Sequence, residues 1–492
     1  MKGEGKMKSM IIAAGLTVAF FGAAMGVNAQ ISKNGETYVI EPRPTATVDS
    51  GEDAAETARG PMKVAWHKDP GRFVLDVDVP NGIEAVVRMP DGTERKTTGR
   101  RRFLCPMAEY PDTRIPPPEK VSSDYYLACH YYPGWNIETN GYSDFKCILD
   151  HPDRKPLIGW YDESLPEVAD WQVKWALEHG INCFIFCWYR TRANEGKPVT
   201  FDALHKAHQL PAFEKSNYAK MMDFAIMWEC NVGTVTDERD LLDNLVPYWV
   251  EHYFRKPNYL KFGNKPVLFV YECNFKLLTR LGSPEKVRHA LVAASEKVRE
   301  YGFDGIHYMA ENRTTDTKQL DTLKQCGYSE AFAYCWWNHR PETMTQEDSM
   351  SFQLANNRTR LAYDPKFIVL TASQSWDPFP WWGRNGEDPD TMWRWKLEPS
   401  NWRKVLEEVK KLADSMPADA VGRRFIMLDN WNEWCEGHYI APHRSGGFKY
   451  LQAVREVFTK RDNLPDYRLP HDLGLGPYDK GIDWAADKPK SK

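Results

Sequence analysis

Leu428 to Gly437 reads Leu-Asp-Asn-Trp-Asn-Glu-Trp-Cys-Glu-Gly, so Glu433 and Glu436 stand three residues apart, interleaved with Trp431 and Trp434. Paired carboxylic acids beside indole rings suit the cleavage of a glycosidic bond. One acid protonates the leaving oxygen, a second group assists at the sugar, and aromatic faces hold the sugar's apolar side. Geometry decides whether the two acids can work together. In an extended chain they would point to opposite faces, with Cα atoms about 10 Å apart. In a turn, side chains at i and i+3 lie on one side, about 5–6 Å apart. Gly437 and the preceding asparagines favour the turn. Turn spacing is nearer the ~5–5.5 Å of retaining glycosidases than the ~6.5–9.5 Å of inverting ones. The plainer alternative is one catalytic acid and one structural acid.

The motif needs elements to position it. A short apolar stretch, Arg424–Leu428, precedes it. It is the last of eight such stretches. The others are Tyr125–Tyr132, Asn182–Tyr189, Phe224–Cys230, Pro266–Tyr271, Gly305–Met309, Ala331–Trp336 and Phe367–Thr371. Helical spacing of apolar residues falls between them, over Pro166–Glu178, Asp240–Tyr253, Pro284–Tyr301, Trp402–Met416 and Phe448–Phe458. Ser164 and Ser283 are placed to cap helix starts, and Gly180 and Gly302 to end helices in a left-handed residue. Eight strands alternating with helices over residues 122–460 predict an α/β fold, a (β/α)8 TIM barrel. The strands are near-continuously apolar, as parallel strands covered on both faces should be. An open doubly wound sheet is the alternative, but no GxGxxG follows the first strand.

In such barrels chemistry sits at the C-terminal strand ends. Here those ends carry aromatic, acidic and amide residues. The stacking candidates are Trp188, Trp228, Trp336 and Trp376, and the polar contacts Glu229, Tyr271 and Asn312. Tyr131, Tyr189, Asn432 and Trp434 complete the candidate substrate-binding set. Any one of them alone would ordinarily be a capping or loop residue. Their recurrence at strand after strand predicts a sugar-lined mouth.

Upstream, residues 61–105 predict a small antiparallel β-module, its strands broken by Asp69-Pro70-Gly71, Pro80-Asn81-Gly82 and Pro90-Asp91-Gly92. Residues 30–60 read as a polar linker, Pro106–Val121 as a stiff connector and residues 461–492 as a tail. Residues 1–29 read as a secretory signal, with Lys2, Lys6 and Lys8 ahead of an apolar run and Val27-Asn28-Ala29 as cleavage site. The mature chain is therefore expected to be periplasmic or extracellular, with no membrane span. A formal charge of −4 and a pI near 6.4 give no basic surface for nucleic acid. Ten cysteines could form disulfides in an exported chain. Cys129, Cys183, Cys187, Cys230, Cys273 and Cys335 lie in apolar runs, so small buried residues are expected over a disulfide framework or metal site. Neither metal nor cofactor is expected; the expected partner is a polysaccharide or oligosaccharide. Oligomeric state is not legible.

Several segments carry a family resemblance. Tyr161-Asp162, Val168–Ile181, Phe184–Tyr189, Tyr248-Trp249, Tyr253-Phe254, Tyr259-Leu260, Gly263–Val267 and Trp431–Gly437 resemble the glycoside hydrolase family 99-like barrels, some of which bear the WbsX glycosyltransferase label. The resemblance implies a retaining hydrolase, endo-α-mannosidase-like, with two acids in a Glu-Trp-x-Glu motif. By that likeness Glu433 is the base that deprotonates the sugar 2-hydroxyl, which attacks its own anomeric carbon. Glu436 is then the acid/base at the leaving oxygen. Cys435 fills the variable slot, and Ala441 stands where relatives often carry an acid. A glycosyltransferase and a non-catalytic glycan-binding barrel are the alternatives. In the upstream module, Phe73–Pro80 and Glu84–Pro90 resemble the C-terminal module of bacterial α-L-rhamnosidases.

Overall fold

The computed structural model describes residues 29–34, 37–42, 50–69, 72–90, 93–106, 115–135, 144–201, 204–205, 209–230, 235, 237–337, 345–382, 394–460, 468–476 and 478. Residues 1–28 of the expected secretory signal and most of the expected tail lie outside them. The chain divides into two compact units, residues 1–68 with 74–101, and residues 69–73 with 102–492.

The N-terminal strands are β1 (Ala29–Asn34), β2 (Thr37–Pro42), β3 (Ser50–Thr57), β4 (Gly60–Asp69), β5 (Arg72–Val79), β6 (Ala85–Arg88), β7 (Glu94–Thr97) and β8 (Gly99–Pro106). They form two four-stranded sheets, β1-β2-β6-β7 and β3-β4-β5-β8. Met62, Val64 and Trp66 alternate inward along β4 and bury one face. The linker expected over 30–60 is corrected: it holds three strands. β3 reads Ser-Gly-Glu-Asp-Ala-Ala-Glu-Thr, which has no apolar alternation, and its place comes from an eight-residue antiparallel ladder with β4. Within residues 61–105 β6 and β7 pair antiparallel as expected, and β2, from the segment read as linker, adds a parallel partner to β6.

The second unit is built on β9 (Tyr126–Tyr131), β10 (Ile181–Arg190), β11 (Asp223–Glu229), β12 (Lys265–Tyr271), β13 (His307–Glu311), β14 (Glu330–Phe332) and β15 (Phe425–Met427). All neighbours pair in parallel, in the order β14-β13-β12-β11-β10-β9-β15. The ring is completed by the expected seventh strand, residues 367–371, which is not a regular strand. Ile368 bridges Ala331 and Thr371 bridges Met427, both in parallel. Side chains of the helix Gln346–Tyr363 take over part of this stretch's pairing. Asn357 Nδ2 donates to the Thr371 carbonyl at 2.9 Å, and Gln353 Nε2 to the Ser373 carbonyl at 3.0 Å. The architecture is the expected TIM barrel.

The five expected helices form, within a residue or a few at their ends, and others join them, including Thr317–Gln325. Ser283 caps its helix by accepting from Lys286 N. Ser164 does not cap; its hydroxyl donates to Asp162 at 2.6 Å, and Leu165 takes the cap position. Gly180 and Gly302 adopt φ of 84° and 93°, the left-handed region that ends the helices before them.

Candidate active site

The last barrel strand delivers the acid pair. After β15 the chain folds so that Gly437 N donates to the Glu433 carbonyl at 3.0 Å, closing a five-residue turn. Gly437 takes φ 77°, a conformation that glycine adopts without strain. The turn puts both acids on one side. One oxygen each of Glu433 and Glu436 and a ring nitrogen of His438 all lie within 4.8 Å of one another. The chain therefore takes the turn and not the extended form.

Neighbouring segments grip this turn. Asp377 N donates to the Glu436 carbonyl at 2.8 Å, and Arg154 Nη1 donates to the Trp434 carbonyl at 2.9 Å. Arg154 Nη2 also meets Asp377 Oδ2 at 2.6 Å. Cys435 is bonded to Cys147, with Cα atoms 6.3 Å apart. The expectation for the cysteines holds for the six named ones, which are free, with Cys273 half-buried and the rest buried. It is corrected for Cys435, whose partner lies 288 residues away and leaves no local spacing to read.

Each acid has its own support. Tyr334 donates its hydroxyl to Glu433 Oε2 at 2.9 Å, and Asn430 Nδ2 in turn donates to the Tyr334 oxygen. Glu436 Oε2 lies 3.0 Å from His438 Nε2, and His438 Nδ1 lies 3.1 Å from Asp429 Oδ1. Asp429 Oδ2 accepts from Gln374 N at 2.6 Å, which fixes the far end of this relay. Burial disfavours the His438 cation, but the hydrogen bonds to Asp429 and Glu436 outweigh it and raise the imidazole to about 9. At neutral pH His438 is then protonated on both nitrogens and donates to both carboxylates. His130 is the opposite case. Burial, followed by the charges of His438 and Arg313, holds it well below the usual imidazole range, so it is neutral. Both imidazoles flank the Tyr334 ring, at centroid distances of 4.6 and 5.4 Å. Glu433, Glu436 and His438 are, among the described residues, the one set with ligand atoms close enough to hold a metal ion. A cation there would have to displace the proton on His438.

Four of the expected substrate-binding residues gather around the pair. Burial, then Cys187, Glu229 and Glu433, push the Tyr189 phenol well above its ordinary value, which places Tyr189 and Glu229 in the same electrostatic surroundings as the acids. The Tyr271 ring meets Tyr334 edge-on at 6.2 Å, and the Trp376 ring lies 5.4 Å from that of His438. The other seven have structural places. Trp188 and Trp228 both pack on Trp249, at 5.5 and 5.3 Å, behind the sheet. Trp188 Nε1 also donates to Tyr253 at 3.1 Å. Trp336 donates to the Thr371 carbonyl at 2.9 Å beneath Arg360. Tyr131 packs on Phe184 and Phe186. Asn432 and Trp434 both donate to Tyr161 at 3.2 Å, and Asn312 closes its own loop through Thr314 N. The reason is the two-residue period of a strand. Trp188 and Trp228 are register partners facing the helices, so the residues after them, Tyr189 and Glu229, face the barrel interior.

Sequence reasoning missed Tyr334, Asp429 and His438 as site residues. Asp429 stands within the motif, His438 just after it, and Tyr334 in an expected strand, but only the ring order, with one stretch between β14 and β15, brings Tyr334 to the turn.

The fold and site together define a (β/α)8 barrel protein with a supported carboxylate pair beyond its last strand. The chain belongs to the family described as Glycosyltransferase WbsX, which it matches over residues 150–454. Residues 32–103 match the bacterial alpha-L-rhamnosidase C-terminal domain. The chain is 22% identical over 329 residues to the uncharacterized protein WxcX of two Xanthomonas campestris pv. campestris strains. The match spans 62% of this chain and 43% of those relatives' length. Two solved structures of the GH99 endo-alpha-mannosidase from Bacteroides thetaiotaomicron, one in complex with BIS-TRIS-propane, share 14% identity and a TM-score of 0.46. They are matched over 68% of this chain and 95–96% of theirs. Among the described residues no helix is long and apolar enough to cross a membrane.

Proposed function

We propose that this chain is an exported glycoside hydrolase that cleaves a polysaccharide or oligosaccharide with retention of anomeric configuration. The observation that carries the reading is the proximity of Glu433 and Glu436, with carboxylate oxygens within 4.8 Å of each other. An inverting enzyme holds its carboxyls about 6.5–9.5 Å apart to make room for a water, whereas a retaining one holds them about 5–5.5 Å apart, and the close approach of one oxygen from each acid supports the retaining spacing. Glu433, oriented by Tyr334, is the base toward the sugar 2-hydroxyl. Glu436 serves the leaving oxygen and then water. His438 holds one oxygen of Glu436 and leaves Oε1 for the substrate. The Cys147–Cys435 bond supports export, because disulfides persist in oxidising compartments.

A second reading, a transferase, is favoured by the family's description. Two experiments separate them. The first is a screen of plant, microbial and host glycans read by product size, with the anomeric proton of the first product followed by NMR. The second is sugar-nucleotide turnover with the same acceptors. Retained product without a nucleotide donor is expected. Glu433→Gln and Glu436→Gln should each lower kcat by at least about a hundredfold. Wild-type kcat in either variant, or turnover only with a sugar nucleotide, would sink the reading.

A further inference from the structure

We propose that Arg313 makes the mouth selective for an acidic glycan, its guanidinium binding a carboxylate or sulfate on a sugar unit held beside Glu433. This rests on the reading that the mouth receives a glycan. Arg313 lies two residues beyond the end of β13 and is anchored at one edge, Nε to Glu311 Oε1 at 3.1 Å. Its plane is fixed between rings, 5.3 Å from the Trp337 centroid and 6.0 Å from that of Tyr334. Nη2 reaches the Tyr271 hydroxyl at 3.5 Å, a weak bond at best. Among the described residues Nη1 has no hydrogen-bond partner, and it is not sealed from solvent. The side chain as a whole keeps 15% exposure.

A purely structural arginine beside buried Glu311 would turn its two-nitrogen fork to the carboxylate, the geometry that gains most from the pair. Here Glu311 takes only Nε, which leaves the Nη edge outside the ion pair and beside the Tyr271 hydroxyl at the end of β12. One of the rings that hold the guanidinium, Tyr334, also meets an acid. Tyr334 donates to Glu433, and the Tyr271 phenol feels the charges of both Arg313 and Glu436. An arginine has five donors and no acceptor, so it selects groups that only accept. A carboxylate or sulfate meets that demand with charge as well. Elsewhere the mouth carries Glu229, Glu433 and Glu436, which repel an anion, so the acidic group is admitted at one place and sets the register of the sugar chain.

The test uses full-length protein carrying Glu436→Gln, so that ligands survive. Hexamers of galacturonate, of sulfated galactose and of neutral mannose are titrated calorimetrically at low and high salt. One acidic hexamer should bind at least about tenfold more tightly than the neutral one, and lose that advantage in high salt. Which acidic arm binds identifies the group. Adding Arg313→Gln should remove the advantage while leaving neutral binding within about threefold, and Arg313→Lys should restore part of it. Equal affinity for acidic and neutral hexamers, or an equal loss on both in Arg313→Gln, overturns the proposal. The hydrolase reading fails separately: acidic ligands that bind through Arg313 but are not cleaved by the unmutated enzyme would sink that reading and leave this one standing.

Discussion

At the scale of single residues, the site is two carboxylates with unlike partners. Glu433 faces a phenol and Glu436 faces an imidazolium. Removing the Tyr334 hydroxyl deletes a hydrogen bond to a charged group, worth roughly 1.5–3 kcal/mol. Tyr334→Phe should therefore lower kcat/KM by about 10- to 100-fold while the fold persists. A variant with unchanged kcat/KM would detach Tyr334 from catalysis. His438 gives a pH prediction. Its folded value, about 9, lies above the ordinary imidazole value near 6.5. The relay thus contributes stability that is fully present below about pH 6.5 and is lost as pH rises through about 9. Asp429→Asn removes a partner that raises His438, so the loss should begin at lower pH. Nitrogen-15 NMR of the ring, with melting temperature against pH, measures both. A wild-type ring that is neutral at pH 7 would contradict the relay. His438 was legible as a neighbour of the motif, but its role was not, because Asp429 and Glu436 become its partners only when the chain folds back on itself.

At the scale of elements, the five-residue turn after β15 is the working part, and it is held from outside. Adding a Cβ at Gly437 would bring it 2.7 Å from the Asp377 carbonyl oxygen, at a φ of 77° that alanine resists. Gly437→Ala should misplace Glu436 and cut kcat by about tenfold or more, with a loss of stability on the order of 1–3 kcal/mol. Normal kcat in this variant would show that the turn tolerates rearrangement. The same scale shows what the chain disclosed in advance. Seven of eight barrel strands were legible because buried parallel strands are apolar throughout. That uniformity is also why the inward face was not: Trp188 and Tyr189 look equally suited to a sugar until the register pairs Trp188 with Trp228 against Trp249. Residues 367–371 pass for a strand by composition, yet part of their hydrogen bonding is met by Asn357, at Thr371. Residues 50–57 fail as a strand by composition, yet pair along all eight positions. Ladder partners distant in sequence decide both cases.

At the scale of the whole molecule, the disulfide has a topological meaning. Cys147 follows β9 and Cys435 follows β15, and these strands are neighbours in the ring, paired in parallel. The bond therefore staples the first barrel strand's loop to the last one's, across 288 residues, at the seam where the barrel closes. Loops this long lose most entropy on cross-linking, and such bonds are typically worth about 2–4 kcal/mol. Because Cys435 sits between Glu433 and Glu436 in the turn, the same bond also bears on their spacing. Protein recovered from an oxidising compartment, denatured and alkylated without reductant, should carry eight labels, matching the eight free cysteines, and ten after reduction. Its mass should correspond to a chain that starts at Gln30, if the leader is removed after Ala29. Cys147→Ser should melt earlier and lose activity to a greater degree than its modest distance from the chemistry would imply, since both the seam and the turn are released together. Ten labels before reduction would remove the staple, and with it the physical support for export. Full activity in Cys147→Ser would confine the bond to stability and leave the spacing of the acids to other contacts, Arg154 and Asp377 among them.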